Sequence, residues 1–280
     1  MNNNFNFTRF GKYFVYDLKR QWKNIGMLML IFALFPFILY MLYMFFSALF
    51  DGGLVKYFRG GEITGPELWV RFAIFGCMAT IFIMLFPSRA YGEVTDKAKG
   101  SEWLMLPASR LEKFSSMTLN TLIVIPLVFI IVYLFSDALV CLFDKSCGNP
   151  LISFRINEVF GSDALTFPAN GLWILVANVI ESASVFLLGG LIFKKWKVVG
   201  TVLVLFALGM VWSLAMSVFI TNVDLEWLGN WMANWLETHG DSIDLWLNGF
   251  MNAYIWIVVA ICMVASWFRL KRLQIGRAHV

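Results

Sequence analysis

The chain offers few residues whose type and spacing could support catalysis. It contains no G-x-x-x-x-G-K-[ST] nucleotide-binding loop, no H-E-x-x-H zinc motif and no G-x-S-x-G nucleophile elbow. Of the two histidines, only His239 is a credible candidate, and a solvated or capping role suits it better than catalysis. The four cysteines show no C-x-x-C pair and no spacing to histidine that predicts a metal site or a disulfide framework. The sequence therefore predicts that this chain is not an enzyme and holds no metal or cofactor of its own.

Glu181 is the ionisable residue in the least expected surroundings, because it lies within the apolar run 171–193. If that run crosses a membrane, its carboxyl has to face neighbouring helices or a wet cavity, since exposure to lipid is costly. Two interpretations stay open. Glu181 is either a candidate residue on a substrate path, or a buried carboxylic acid hydrogen-bonded to serine or asparagine of another helix.

The richest set of polar and aromatic residues lies at 88–114, with the sequence SRAYGEVTDKAKGSEWLMLPASRLEKF. We predict a short helix, a break at Pro107 and then a second helix. Ser109 is the expected N-cap of the second helix, and Glu112 stands where a capping box requires an acidic partner.

The apolar side chains in this segment have to be buried. Trp103, Leu104 and Leu106 are too apolar for a loop that only faces water, so they imply burial against the rest of the protein or against a partner. The plainer alternative is a helix break that carries positive charge on one side of a membrane.

The composition indicates what positions these residues. Of 280 residues, 60% are hydrophobic and 14% are charged, and the mean hydropathy is +0.73. A soluble domain is about 45–50% apolar and about 25% charged. The chain is therefore expected to be an integral membrane protein, neither a disordered chain nor a secreted disulfide scaffold. Its net charge of +4 does not indicate a nucleic-acid partner, because the basic residues sort by membrane side.

Six apolar segments are long enough to cross about 30 Å of hydrocarbon. The predicted fold class is all-α: a polytopic domain over 26–273 with six transmembrane helices. Arg71, near one end of the second span, is expected to extend to the interface, and Asp137 of the third span to be solvated near its outer end. The predicted spans are 26–50, 68–86, 117–143, 171–193, 198–221 and 249–268.

Lysine and arginine set the orientation. They concentrate in the N-terminal segment, in the loops after the second and fourth spans, and in the C-terminal tail. The loop 222–248 has none and carries five acidic residues. Both termini are therefore predicted to be cytoplasmic.

Two flanking segments are amphipathic. Residues 1–25 are basic and aromatic-rich, which predicts a helix along the cytoplasmic interface. In the outer loop, Trp227, Trp231 and Trp235 share one helical face, which predicts a short helix that anchors at headgroup depth.

Two further features concern single segments. Gly189-Gly190 in the fourth span predicts either close helix packing or a helix end. Residues 275–280 read IGRAHV, which is what a common sequencing-adapter sequence encodes, so we expect a non-native tail and leave open whether the native chain extends past Leu273.

The loop between the second and third spans resembles the permease subunits of type-2 ABC (ATP-binding cassette) transporters, in a bacterial branch. That family commonly has an acidic residue, a glycine followed shortly by Glu and Leu, then Pro-x-Ser-Arg and a basic residue. The predicted topology agrees with this family over the whole chain, whereas the motif-level similarity covers the segment 88–114 only. The family's usual Gly-Lys after Pro-x-Ser-Arg is absent, and Glu112-Lys113-Phe114 follows instead. The matching residues are Glu93, Gly100, Glu102, Leu104, Leu106, Pro107, Ser109, Arg110 and Lys113.

The resemblance implies a half-transporter in the bacterial cytoplasmic (inner) membrane. It would pair with a second permease chain and dock on a separate cytoplasmic ABC ATPase, which holds the ATP and Mg²⁺. The loop would be the coupling element. Its expected residues are Glu93, Glu102, Trp103, Leu104, Leu106, Pro107, Ser109 and Arg110.

A different class of function stays open. A non-transporting membrane scaffold or assembly protein could recruit a cytoplasmic partner through the same loop, and the sparse polar lining of the spans favours it. An intramembrane enzyme has only Glu181 to offer.

Overall fold

The computed structural model describes most of the chain and is helical almost throughout. No strand occurs among these described residues, so the all-α class is confirmed. The described residues are 5–50, 68–95, 100, 103, 105–143, 151, 171–222, 230, 234–235 and 243–278.

Seven α-helices follow one another along the described chain. A 3-10 helix, Gly92–Thr95, follows the second of them, and a π-helix, Asn120–Val124, joins the third to the fourth without interruption. The α-helices are α1 Phe7–Phe50, α2 Leu68–Tyr91, α3 Arg110–Leu119, α4 Ile125–Phe143, α5 Gly171–Ile192, α6 Lys197–Asn222 and α7 Ile243–Ala278.

Five stretches of helix are long and apolar enough to cross a membrane. The predicted fourth span is helical over Gly171–Ile192, but its described apolar part, Val176–Ile192, is shorter than the roughly 20 residues that a span requires. The count of six spans is therefore not confirmed. The five stretches are Phe7–Phe46, Val70–Thr95, Arg110–Leu142, Lys197–Asn222 and Gly249–Arg272.

The separate interfacial helix expected over 1–25 is not confirmed. Helix α1 runs through its 44 residues with no break at residue 25, and at 1.5 Å per residue it is about 66 Å long, roughly twice the hydrocarbon thickness. Tyr13, Asp17, Gln21 and Ile25 are buried along one side of its first half, which packs against α3. The local sequence shows an amphipathic helix, whereas the pairing with α3 depends on residues far along the chain.

The described residues fall into two compact units. The first comprises Met1–Ala90 and Leu106–Gly171, and in it α1, α2 and α4 meet through buried aromatic rings. Phe82 stacks on Phe129, with ring centroids 4.3 Å apart and planes 13° apart, and Phe32 meets Phe82 edge-on at 5.3 Å. Stacked and edge-on pairs are the favoured geometries of aromatic rings.

In this unit, Arg71 and Asp137 do not lie where the sequence predicted. Both predictions of exposure are wrong: Arg71 is 6% and Asp137 5% exposed. The Arg71 guanidinium forms two bonds to the Asp137 carboxylate, one from Nε to Oδ1 at 3.0 Å and one from the terminal nitrogen to Oδ2. The Leu151 N–H also donates to Oδ2, at 2.8 Å. Arg71 of α2 and Asp137 of α4 therefore form an ion pair, and each provides the polar partner that water would provide at the surface.

The second unit comprises Tyr91–Met105 and Leu172–Val280. Ala177 of α5 packs with Ile255 and Val259 of α7. Helix α7 continues through Ala278, so the predicted non-native tail extends this helix as far as that residue.

Two expectations about loops and cysteines have different outcomes. In the tryptophan-rich outer segment, Trp235 is described and helical, while Trp227 and Trp231 lie outside the described residues. Cys141 is disulfide-bonded, although the spacing of the cysteines does not imply a disulfide framework. Cysteine spacing alone cannot exclude a bridge whose formation depends on loop geometry.

Helices α5 and α6 lie close together at Gly189 within the second unit. A Cβ added there would lie 1.8 Å from Thr201 Oγ1, and Thr201 itself is buried. Because α5 continues to Ile192, close packing is the correct alternative for Gly189-Gly190, and a helix end is not.

We expect Gly189→Ala to lower the thermal unfolding midpoint in detergent, at a cost of about 1–3 kcal/mol, because the added methyl overlaps Thr201. Gly209→Ala on α6 is the matched control, since an added Cβ there meets nothing within 4 Å, and we expect it to leave the midpoint unchanged or slightly higher. Equal midpoints for the two variants would contradict the close packing.

Candidate functional site

The loop after α2 begins with a capped helix end in the second unit. The Lys197 ammonium donates to the Gly92 carbonyl at 2.6 Å, and Thr95 Oγ1 donates to the same oxygen at 2.7 Å. A lysine at the carboxyl end of a helix satisfies a carbonyl that has no partner in the helix and suits the negative end of its dipole. Glu93 is half-buried within the 3-10 helix.

The apolar residues in the middle of the loop differ in how far they are buried. Trp103 is only 1% exposed, so its ring is buried within the protein. Of the two alternatives for this residue, burial within the protein is the correct one. Met105, by contrast, is 82% exposed. Glu102 and Leu104 lie outside the described residues.

The second half of the loop, in the first unit, confirms the predicted break and helix start. The Ala108 N–H donates to the Leu106 carbonyl at 2.8 Å, which closes a tight turn around Pro107. Ser109 is the N-cap of α3: its Oγ accepts from the Glu112 N–H at 3.3 Å, and Glu112 Oε2 accepts from the Ser109 N–H at 2.7 Å. This reciprocal pair is the predicted capping box.

The Glu112 carboxylate also holds the beginning of α1. It accepts from the Asn6 N–H at 2.9 Å, and from Arg9 at 2.8 Å (Nε to Oε2) and 2.7 Å (the terminal nitrogen to Oε1). Asn6 in turn caps α1, since its Oδ1 accepts from the Thr8 N–H at 2.9 Å. One carboxylate therefore joins the positive ends of two helix dipoles. We call this group of Asn6, Arg9, Ser109 and Glu112 the clamp.

The electrostatics of the clamp favour the ionised carboxylate. Glu112 precedes the apolar run of its helix and so lies outside the predicted span 117–143. Its oxygens accept hydrogen bonds from the Arg9 guanidinium and from the N–H groups of Asn6 and Ser109, all of which stabilise the charged form.

A second set of polar contacts continues the clamp toward the membrane. Asp17 Oδ2 accepts from Ser116 Oγ at 2.7 Å and from Asn120 Nδ2 at 3.0 Å. On α1, Asp17 lies two turns after Arg9. Its partners Ser116 and Asn120 lie one and two turns after Glu112, the partner of Arg9. Both helices advance together, so α1 and α3 are parallel partners. We call this line of contacts the polar seam.

At the tip of the loop, the first unit presents an exposed surface. Pro107, Arg110 and Leu111 are exposed and Leu106 is half-buried. This apolar surface with one positive charge lies at the start of a capped helix whose other face is the clamp. Of the residues predicted for coupling, Ser109 is therefore buried in the clamp, whereas Arg110 is exposed on the loop tip.

Glu181 is half-buried on α5. The Ser184 hydroxyl donates to the backbone carbonyl of Glu181 at 2.7 Å. The side-chain carboxyl of Glu181 forms no hydrogen bond among the described residues. The expected bond to serine or asparagine of another helix is therefore not found in the described part of the chain.

Sequence reasoning found Glu112 as a capping residue but missed its partners Asn6 and Arg9. The basic residues of the N-terminal segment were the available signal for an ion pair with Glu112, but the positive-inside rule already explained why they are there. Within the described residues, no group of three or more histidine, cysteine or acidic side chains could hold a metal ion. No protein-family model, curated protein or solved structure matches this chain. Function has therefore to be inferred from the residues themselves.

Proposed function

We propose that this chain is the permease subunit of an ATP-driven exporter of the ABC class, in the bacterial cytoplasmic membrane. It would have six spans, with Gly171–Ile192 as the fourth, and both termini in the cytoplasm. Two permease chains would pair, and each would dock a cytoplasmic ATPase that supplies ATP hydrolysis and Mg²⁺.

The observation that carries this proposal is the combination of an exposed loop tip with the clamp behind it. A coupling element has to receive a push from a partner and pass it to the spans, so it needs an apolar docking surface on a rigid support. Leu106, Pro107, Arg110 and Leu111 offer the surface. The capping box and the Arg9–Glu112 pair make the support rigid.

Movement of this tip would reach two spans at once. Helix α3 continues through the π-helix into α4, and Glu112 and Asp17 tie it to α1. When nucleotide binding closes the ATPases, the tip would be displaced and α1 and α4 would tilt together. Alternating access would follow from this rocking.

The expected orientation receives support from Cys141. This residue is disulfide-bonded and lies near the end of α4 that the positive-inside rule places outside. Disulfides persist in the bacterial periplasm and are rare in the cytoplasm.

We expect Leu106→Asp combined with Leu111→Asp to abolish co-purification of a P-loop ATPase with the tagged chain in mild detergent, while membrane insertion is unchanged. Charges at the centre of an apolar docking surface are left desolvated and unpaired. Trp196→Asp is the matched control: Trp196 is 78% exposed in the loop between α5 and α6, and its φ of 54° is one that aspartate tolerates better than tryptophan.

An ATPase that co-purifies equally with the Leu106/Leu111 variant and with the wild-type chain would contradict the docking role of the tip. If the wild-type chain, recovered intact, brings no ATPase at all, the exporter proposal itself fails.

A membrane scaffold is the second candidate, and one observation favours it. In the first unit, the cleft beside Arg71 and Asp137 has a volume of about 30 Å³, room for about one water. The larger groove along α1, about 490 Å³, is lined by Phe37, Ile38, Met41, Leu42 and Phe45 and offers no polar side chain to a hydrophilic substrate. Stimulation of ATP hydrolysis in the purified complex by lipids or other hydrophobic compounds would favour the exporter. A complex whose ATPase responds to no compound and moves none would favour the scaffold.

A further inference from the structure

Five polar side chains are enclosed where the polar seam enters the membrane. All belong to the first unit, and none is more than 2% exposed. Two of them lie one turn apart on α1, and three lie on α3 and the π-helix, where Ser116 and Asn120 donate to Asp17. They are Asp17, Gln21, Ser116, Asn120 and Thr121.

Gln21 is the least expected of them. It is 2% exposed, and neither the oxygen nor the nitrogen of its carboxamide has a hydrogen-bond partner among the described residues. The Thr121 hydroxyl, fully buried, is in the same condition. A buried polar group without a partner is costly, so native proteins rarely leave one without a bound water or ion.

The backbone at this point is also unusual. Thr121 lies within the π-helix Asn120–Val124, and the Asn120 N–H is shared between the carbonyls of Ser116 and Met117. Single π-turns inside α-helices occur frequently at functional sites, because the wider turn redirects side chains and loosens carbonyls. Here the π-turn faces Asp17, through the bond from Asn120.

The chemistry of the cluster selects among ligands. Its side chains supply one carboxylate, two amide oxygens and two hydroxyls, which are all hard oxygen donors. Divalent cations in proteins usually collect several carboxylates, whereas this cluster contains one. A singly charged ion with a flexible coordination shell matches one carboxylate with neutral oxygens.

We propose that Asp17, Gln21, Ser116, Asn120 and Thr121 form a binding site for a monovalent alkali-metal cation, Na⁺ or K⁺, between α1 and the π-helix. The bound ion draws together the two helices that the clamp joins at their beginnings. The proposal is independent of the exporter function, because it concerns the stability of this pair of helices only.

The test is the thermal unfolding midpoint of the purified full-length chain in detergent, measured in about 100 mM NaCl, KCl or choline chloride. A ligand that binds only the folded state raises the midpoint, by about 3 °C for a chain of this size when the ligand concentration is roughly five times its Kd. We expect NaCl or KCl to raise the midpoint above its value in choline chloride. The same midpoint in all three salts would overturn the proposal and indicate water in the cluster.

Two variants localise the effect. Gln21→Met and Thr121→Val remove an oxygen donor with little change of volume, and in either one we expect the difference between alkali and choline salts to disappear. Thr80→Val is the matched control, because Thr80 is exposed on α2 and bonds only its own helix at Gly76. An alkali-dependent rise that persists in both Gln21→Met and Thr121→Val would place the ion elsewhere and overturn the assignment.

Discussion

Asp137→Ala is expected to cause the largest loss of stability of any single substitution considered for this protein. The change leaves the Arg71 guanidinium buried without its carboxylate, and removal of one partner of a buried ion pair typically costs about 3–5 kcal/mol. It also removes the acceptor for the Leu151 N–H. We expect the variant to be recovered in low yield and to aggregate in size-exclusion chromatography after detergent extraction.

The matched control replaces both partners. Arg71→Met combined with Asp137→Leu removes both charges while it keeps similar volume, and such replacements are often neutral or stabilising. We therefore expect the double variant to elute as the wild-type chain does. If Asp137→Ala is extracted and elutes normally, or if the double variant is as unstable as the single one, the buried pair does not have the energetic role that its geometry indicates.

The second large effect is expected at the clamp. Glu112→Ala removes the acceptor for Arg9 and for two backbone N–H groups, and it opens the capping box of α3. Loss of a cap costs about 1 kcal/mol, and the bonds to the partly exposed Arg9 side chain add a smaller, screened contribution, so we expect a clear loss of stability. The N-terminal residues and the loop should become sensitive to added protease at cytoplasmic pH.

Glu112→Gln is expected to give an intermediate rate of cleavage. The amide oxygen still accepts hydrogen bonds, but the charge that binds the Arg9 guanidinium is gone, so we expect cleavage at a rate between those of the wild-type chain and Glu112→Ala. Cleavage of Glu112→Ala at the wild-type rate would show that the loop is held by other contacts.

Much of the fold could be predicted from the sequence because its determinants are local. Apolar runs of sufficient length predict spans, and the order Pro107, Ser109, Glu112 predicts where α3 begins. Both signals depend on residues within one or two turns of each other, so a single sequence contains them. The structure confirms five apolar helices of sufficient length and the capping box.

The pairings of charged residues could not be predicted for the opposite reason. Arg71 and Asp137 are 66 residues apart, and Arg9 and Glu112 are 103 apart. Each arginine alone is equally compatible with a position at the membrane surface, and only the packing of the helices brings the carboxylate to it. For the same reason Trp103 was expected at a docking surface. Its apolar character predicts burial but does not identify what covers it.

The parallel pairing of α1 with α3 has a consequence for biosynthesis. Helix α1 leaves the ribosome first, and Glu112 follows Arg9 by 103 residues, a delay of roughly 5–20 s at ordinary rates of translation. During that interval the first span has to choose its orientation while Arg9 and Asp17 have no seam partners. The basic residues of the N-terminal segment can therefore direct insertion first and join the clamp afterwards. A single set of charges thus serves topology while the chain is growing and packing once it is complete.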